Sequence, residues 1–224
     1  MVIKLLVEKT SDNIIEIIKQ RNLSEGDQLP NEFELAELLG VGRSTVREAI
    51  KALVSRNIIE IRRGAGTFVS QKLGVVEDPL GFTFVKDKLR LAKDLLEIRL
   101  ILEPEIALLA AQNATEEDVK ELGKLCEEVE RLILAGEDYA KQDVAYHTKI
   151  ASCSKNRVMP KLIPIITSSI PVFIAITKKA LTKETLETHR EIYEAIKKGN
   201  GKAARDAMVL HLIYNRRNIE KLES

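Results

Sequence analysis

The pattern of apolar and polar positions divides the chain into an amino-terminal part of mixed character and a longer part that is helical throughout. Within residues 3–21 four isoleucines recur at the spacing of an amphipathic helix: Ile14, Ile15, Ile17 and Ile18. Ser24-Glu25-Gly26-Asp27 ends this helix. A second helix is predicted to have Pro30 in its first turn, where proline is favourable, and Gly40 as its C-cap.

A third amphipathic helix follows after a short link. It is predicted to start near Ser44, a residue type favoured at helix N-caps, and to run to about Arg56. Its buried positions are spaced three, four, seven and eight residues from the first: Val46, Ala49, Ile50, Leu53 and Val54. The polar residues between them are therefore expected to face solvent: Thr45, Arg47, Glu48 and Lys51.

Two short β-rich runs come next, Ile58–Arg62 and Thr67–Val69, and Arg63-Gly64-Ala65-Gly66 lies between them. β-branched residues on either side of a glycine-containing turn are typical of a hairpin. Three helices followed by a hairpin is the element order of a winged helix-turn-helix, and the brief Gly40–Gly42 link supplies its tight bend.

The third helix and the hairpin tip form a candidate DNA-contacting surface. The segment Arg43–Arg63 contains six basic and two acidic residues, although the whole chain has a net charge of only +1. A helix fits the major groove, where its exposed N-terminal residues reach base edges and phosphates. The candidate contacts are Arg43, Ser44, Thr45, Arg47, Arg63 and Gly64. The alternative is a small helical core with solvated arginines on its surface.

Residues 73–79 carry a glycine, an acidic pair and a proline, and are predicted to be a linker. We therefore expect a mainly α protein with a winged helix-turn-helix over residues 1–72 and an all-α bundle over residues 80–224. In the bundle, Thr115–Asp118 resembles a capping box, and Gly199-Asn200-Gly201 separates the last two helices.

Other features of the sequence indicate the compartment in which the protein is expected to function. No apolar run approaches the roughly 20 residues needed to cross a bilayer, so no membrane partner is expected. The longest run, around Ile163–Ile176, is interrupted by Pro171 and polar residues, and is interpreted as a buried helix. Nothing resembles a signal peptide. Cys126 and Cys153 match no paired-cysteine metal motif, which favours a reduced, cytoplasmic setting.

The chain has three histidines, and their spacing is informative. His147 lies four residues after Asp143, so both share a helix face. His189 lies ten residues before Gly199 and His211 ten residues after Gly201. In an antiparallel hairpin each would lie ~15 Å from the turn and the two could face each other. One carboxylate and three imidazoles suit Zn²⁺, Ni²⁺ or a similar divalent ion. The alternative is three unrelated histidines, hydrogen-bonded in the core or exposed.

The amino-acid sequence of the amino-terminal part closely resembles that of the GntR family of bacterial regulators. The matching stretches include Gly26–Glu32, Leu39–Val41, Arg43–Ala49 and Gly64–Val69. The resemblance implies that Arg43 and Arg47 contact an operator and that Arg63 and Gly64 form the wing contact. The sequence departs from the family at Phe33, where many members carry a DNA-contacting arginine. An aromatic side chain cannot make that ionic contact.

Residues from about 88 to 219 resemble the effector domain of the FadR subfamily, an FCD-type domain. The resemblance is carried by Glu97-Ile98-Arg99, Leu102-Glu103-Pro104 and the stretches around the three histidines. It implies a metal bound by Asp143, His147, His189 and His211, and a small carboxylate effector that completes the coordination. Arg99 would pair with the carboxylate, although an ion pair with Glu103 at i+4 is an alternative role. Members are typically homodimers on near-palindromic operators.

Three functions follow from these features. The first is a metabolite-responsive transcription regulator that binds double-stranded DNA. The second is a metal-dependent hydrolase, since an open site with one Asp and three His could activate water. The third is a regulator in which the metal is purely structural. The regulator is favoured because the sequence contains no motif for a nucleophile or a general base, and because a DNA-binding domain is attached.

Overall fold

The computed structural model describes residues 2–70, 78–168, 170, 174 and 182–221. The chain forms two compact units, Met1–Leu80 and Gly81–Ser224. It is mainly α-helical, and the described residues contain one small two-stranded sheet, which confirms the predicted fold class. Most of the linker predicted at residues 73–79 lies outside the described residues.

The first unit has the winged helix-turn-helix order. Its elements are α1 Val2–Gln20, α2 Glu32–Leu39, α3 Arg43–Ser55, β1 Ile59–Arg62 and β2 Gly66–Val69. The strands pair antiparallel, with Ile59 opposite Val69 and Arg62 opposite Gly66. Turn residues 63–65 form the tip of this wing.

Two helix starts differ from the sequence prediction. Pro30 is not in the first turn of α2, because the side chain of Asn31 accepts from the backbone N–H groups of Phe33 and Glu34 and caps the helix one residue later. Ser44 is not the N-cap of α3, since the helix begins at Arg43 after Gly42 and has no side-chain cap. The start of α2 is therefore set by a favoured N-cap residue one position after Pro30, whereas the start of α3 is set without a side-chain cap.

The core of the first unit is where the helical spacing predicts it. Four residues of the predicted α3 stripe are buried, and Val54 packs half-buried at its edge. The core joins this stripe to α1, α2 and the wing through Ile14, Leu29, Leu35, Ile59 and Val69. Because these contacts occupy the inner face of α3, its polar residues are left on the outside.

The second unit is a bundle of helices around a separate core. After a short 3₁₀ turn at Phe82–Phe84, its described helices are α4 Lys88–Asn113, α5 Glu116–Ala135, α6 Ala140–Cys153, α7 Met159–Ile166, α8 Thr182–Lys197 and α9 Gly201–Glu220. Ile163 and Ile166 are buried in α7, whereas most of residues 167–176 lies outside the described part.

Two predicted boundary signals are present in the bundle. Thr115 and Asp118 cap α5 reciprocally, as the capping box predicts. Asn200 caps α9, and its side chain accepts from the backbone N–H of Ala203. Gly201 allows α9 to approach α4 closely, because a Cβ atom there would lie 3.2 Å from the carbonyl oxygen of Leu108. The last two helices are therefore separated at Gly199-Asn200-Gly201, as the sequence predicts.

We predict that Leu35→Ala destabilises the first unit by about 2–5 kcal/mol, because the side chain is 0% exposed and its removal leaves a cavity. Leu38→Ala on the same helix is the matched control, since Leu38 is 55% exposed and its loss should cost under about 0.5 kcal/mol. Urea unfolding of both variants measures the difference. Equal destabilisation by the two substitutions would contradict the described packing.

Candidate metal centre and DNA-contacting surface

The three histidines lie together in the interior of the second unit. His147 is on α6, His189 on α8 and His211 on α9, and none is more than 3% exposed. The ring centroids of His189 and His211 are 4.7 Å apart, and that of His147 is 5.5 Å and 5.3 Å from these two. One nitrogen from each ring lies within 4.8 Å of the others. The helical hairpin thus brings His189 and His211 face to face, and α6 adds His147.

Asp143 lies at the edge of this cluster, one turn before His147. Its Oδ1 is 3.3 Å from His189 Nε2, and the carboxylate is buried. Burial raises the pKa of Asp143 above its ordinary value, while the nearby His147 and Arg99 act in the opposite direction. The structure therefore places all four predicted ligands in one region, with the three imidazoles closest together.

Several buried polar atoms of this cluster lack a hydrogen-bond partner. Among the described side chains, these include Asp143 Oδ1, His147 Nδ1 and both ring nitrogens of His189. Each such atom costs on the order of 1–3 kcal/mol when it is buried without a partner. A divalent cation would give a partner to Asp143 Oδ1 and to one ring nitrogen of His189, and imidazole with carboxylate is the donor set that Zn²⁺ and Ni²⁺ accept. The residues present fit a metal ion.

Burial also sets the protonation of the cluster. It lowers the pKa of His189 and His211 well below the ordinary value, and the nearby His147 and Arg99 act in the same direction. Both rings are therefore neutral near pH 7, which is the form that can donate a lone pair to a metal.

Polar side chains around the cluster orient the rings. Thr188 Oγ1 lies 3.0 Å from His211 Nδ1, and Asn215 Nδ2 lies 3.3 Å from His211 Nε2. The hydroxyl of Tyr146 donates to the backbone carbonyl of His189 over 2.8 Å and fixes α8 against α6. Sequence reasoning missed these residues. The i+4 spacing of Asn215 from His211 was the available signal.

Arg99 lies beside the cluster in an ion pair with Glu103. Both side chains are buried, and Arg99 Nε donates to Glu103 Oε1 over 2.5 Å. Arg99 Nη2 is also 3.5 Å from His147 Nε2. The alternative role considered for Arg99 is thus present in the structure, and its position next to a candidate ligand leaves the effector role as a prediction.

The carboxylate of Glu103 contacts both Arg99 and His147. Its Oε2 is 2.6 Å from His147 Nδ1, although the ring is not aligned for a well-formed hydrogen bond. Burial alone would raise the pKa of Glu103, but the nearby Arg99 guanidinium and the contact with His147 outweigh it and hold the pKa well below the ordinary value.

The predicted DNA contacts of the first unit lie on its surface. Arg43, Ser44 and Arg47 are exposed and Thr45 is half-buried, all in the first two turns of α3. Arg63 and Gly64 are exposed at the wing tip. The wing is braced by Arg62, whose guanidinium lies 4.2 Å from the ring centre of Phe68.

Arg47 is held by an acidic residue of the neighbouring helix. Its Nη2 donates to Glu32 Oε2 over 2.9 Å, and this hydrogen bond lowers the pKa of Glu32. A pair this exposed contributes little to stability because solvent screens it, so Arg47 can exchange it for a phosphate or a base. Phe33 follows Glu32 directly and is 55% exposed, an apolar group on an otherwise polar rim.

In the part of the chain that the structure describes, no helix combines the length and apolar character required of a membrane span.

Two family descriptions match the chain. Bacterial regulatory proteins of the gntR family match residues 6–69, which include α2, α3 and the wing. The FCD domain matches residues 94–213, more than half of the chain, and these contain Asp143 and all three histidines.

Individual relatives agree with these matches. The HTH-type transcriptional regulator LutR of Bacillus subtilis (strain 168) is 33% identical over 204 residues, which cover 88% of this chain and 93% of the relative. The putative L-lactate dehydrogenase operon regulatory protein of Escherichia coli (strain K12) is 33% identical and covers 93% of this chain and 84% of its own. A solved structure, Streptococcus agalactiae GntR, is 45% identical with a TM-score of 0.83, covering 94% of this chain and 99% of that one.

These relatives are regulators rather than enzymes, so the hydrolase alternative is not supported. With a winged helix-turn-helix in front of an FCD domain, the chain belongs to the GntR family of bacterial transcription regulators, and its FCD domain fits the FadR-type subfamily.

Proposed function

We propose that this GntR-family regulator binds a near-palindromic operator as a homodimer and that a small carboxylate, bound at a divalent metal in the FCD domain, changes its affinity for that operator. The observation that carries the proposal is the buried cluster of three histidines and Asp143, with unpartnered polar atoms, in a chain that also carries an exposed basic winged helix. The first feature provides an input and the second an output.

The output rests on the exposed basic residues of the first unit. Arg43 and Arg47 lie at the start of α3, where the helix N-terminus itself attracts a phosphate. Arg63 and Gly64 at the wing tip combine a cation with a residue small enough to let the backbone approach DNA closely. Two such units in a dimer would read two half-sites. Phe33 replaces one ionic contact with an apolar surface.

The proposed effector response depends on the histidine cluster and Asp143. His147, His189 and His211 would hold the ion, and Asp143 would supply a carboxylate oxygen from the edge of the cluster. A bound Zn²⁺ or Ni²⁺ would supply a positive centre with open positions for a ligand oxygen. Thr188 Oγ1 donates to the carbonyl of Glu184, so it would accept from Nδ1–H of His211 and hold the ring. His211 Nε2, which Asn215 contacts, would then exchange that contact for the ion.

The class of effector follows from the charge beside the cluster. Arg99 is a buried cation whose Nη2 lies within 3.5 Å of His147 Nε2, so a carboxylate near the metal would meet a guanidinium donor. One relative is named for the operon of an L-lactate dehydrogenase, an enzyme of a small hydroxycarboxylate. L-lactate is therefore the first probe among small carboxylates. A ligand changes DNA affinity only if it binds two arrangements of the protein with different affinity.

We predict that Arg47→Ala nearly abolishes specific DNA binding, because it removes a cation from the recognition helix. The probe is a duplex selected by the wild-type protein from a random pool, and binding is measured by gel shift across a salt series. The slope of affinity against salt should fall by about 1 if Arg47 contacts a phosphate. Lys19→Ala is the matched control, since Lys19 is an exposed cation paired with Glu16 on α1. An unchanged affinity of Arg47→Ala for the selected duplex would contradict the assignment of α3 as the DNA-contacting helix.

We predict that the chelator-stripped protein rebinds about one Zn²⁺ or Ni²⁺ ion per chain, because four candidate ligands converge at one place. His189→Ala and Asp143→Ala should each weaken that binding, as measured by competition with a coloured chelator. Asp206→Asn, an exposed carboxylate on α9, should leave it unchanged. A stripped wild-type chain that takes up no metal would contradict the proposal.

A purely structural metal remains the second candidate because the cluster is so deeply buried. In that case zinc would raise the melting temperature of the protein, whereas adding L-lactate or other small carboxylates to the zinc-loaded protein would have no further effect. Additional stabilisation by a carboxylate would argue against it.

A further inference from the structure

Glu103 contacts both Arg99 and the histidine cluster inside the second unit. It lies on α4, one turn after Arg99, and is only 1% exposed. One carboxylate oxygen accepts from Arg99 Nε at 2.5 Å, and the other lies 2.6 Å from His147 Nδ1 on α6. Arg99 Nη2 also donates to this second oxygen over 3.5 Å. The carboxylate therefore connects α4 with α6.

The charge of Glu103 is maintained by its partners. A lone carboxylate in a protein interior is strongly destabilised, and a paired one is tolerated only when its geometry is good. The guanidinium of Arg99 supplies the opposite charge from the preceding turn of the same helix. Glu103 is consequently an acceptor on both oxygens and offers no proton to His147.

Two contacts define the same tautomer of His147. Glu103 accepts only, so the ring nitrogen that faces it, Nδ1, is the one that carries the proton. Arg99 donates only, so Nε2, which lies 3.5 Å from its Nη2, is the one with the lone pair. The short contact at Nδ1 is not yet aligned, and a turn of the ring toward the carboxylate would form the hydrogen bond.

We propose that Glu103 is a positioning residue of the metal centre, which holds His147 through Nδ1–H so that Nε2 is the nitrogen presented to the metal. This inference rests on the proposed metal binding. Histidine ligands commonly donate their second ring nitrogen to a carboxylate, which orients the ring and raises its basicity as a ligand. Glu103 supplies that acceptor from a different helix.

The test uses the full chain and zinc alone. Glu103→Gln keeps the shape of the side chain but removes its charge, and it should weaken Zn²⁺ binding by roughly 10–100-fold in competition with a chelator. Glu105→Gln is the matched control, because Glu105 is an exposed residue of the same helix and pairs with Arg205 over 2.9 Å. It should bind zinc as the wild type does.

Glu103→Gln leaves Arg99 without its buried partner and could fail to fold. The double variant Arg99→Met with Glu103→Gln removes both charges together, and it should show the same loss of zinc affinity because His147 still lacks its carboxylate. A circular dichroism spectrum matched to the wild type establishes that each variant compared is folded.

A spectroscopic readout separates positioning from simple packing. The protein has three histidines, so the ¹⁵N spectrum of histidine-labelled, zinc-loaded protein is simple, and His147→Gln identifies the signals of His147. The wild type should show His147 with a protonated Nδ1 and a zinc-bound Nε2. Zinc on Nδ1, or unchanged zinc affinity in a folded Glu103→Gln or double variant, would overturn the role of Glu103. A wild-type chain that binds no zinc would overturn the proposed metal site as well, so the two failures are distinguishable.

Discussion

In the second unit three imidazoles and two carboxylates are buried together, and each of these polar groups needs a partner in place of water. His147, His189 and His211 come from three helices, so their meeting fixes how α6, α8 and α9 pack. Buried polar groups are tolerated when they have partners, and the described partners form an outer layer around the rings: Tyr146, Thr188 and Asn215. Asp143 Oδ1 and the ring nitrogens of His189 remain without partners among the described side chains, and a cation would give a partner to Asp143 Oδ1 and to one of these nitrogens.

The two units use the same residue types in opposite ways. Arg47 and Glu32 form an exposed pair of small energetic value, which a phosphate can replace. Arg99 and Glu103 form a buried pair, and breaking it would leave one charge unpaired in the interior at a cost of about 3–5 kcal/mol. The exposed pair therefore suits a surface that must exchange partners with DNA. The buried pair keeps a fixed position beside the histidine cluster.

The sequence predicted the features that depend on regular geometry. The stripe of α3 and the facing of His189 and His211 follow from helix periodicity and from a glycine-rich turn, and both are present. Helix starts were less predictable, because Asn31 rather than Pro30 makes the capping hydrogen bonds of α2. The contact between Glu103 and His147 joins residues 44 positions apart on different helices. No local pattern reports such a tertiary contact, although the i+4 spacing of Arg99 and Glu103 allowed their ion pair to be considered.

We propose that the buried cluster is the input of a switch whose output is the winged helix, and one coupling measurement tests this proposal most directly. Fluorescence anisotropy of a labelled operator would give the Kd of the zinc-loaded protein with and without a carboxylate that thermal shift has shown to bind. The account predicts a change of about 5–150-fold, and by linkage the operator must alter the affinity for the carboxylate by the same factor. An operator Kd that is unchanged when the carboxylate site is saturated would contradict it.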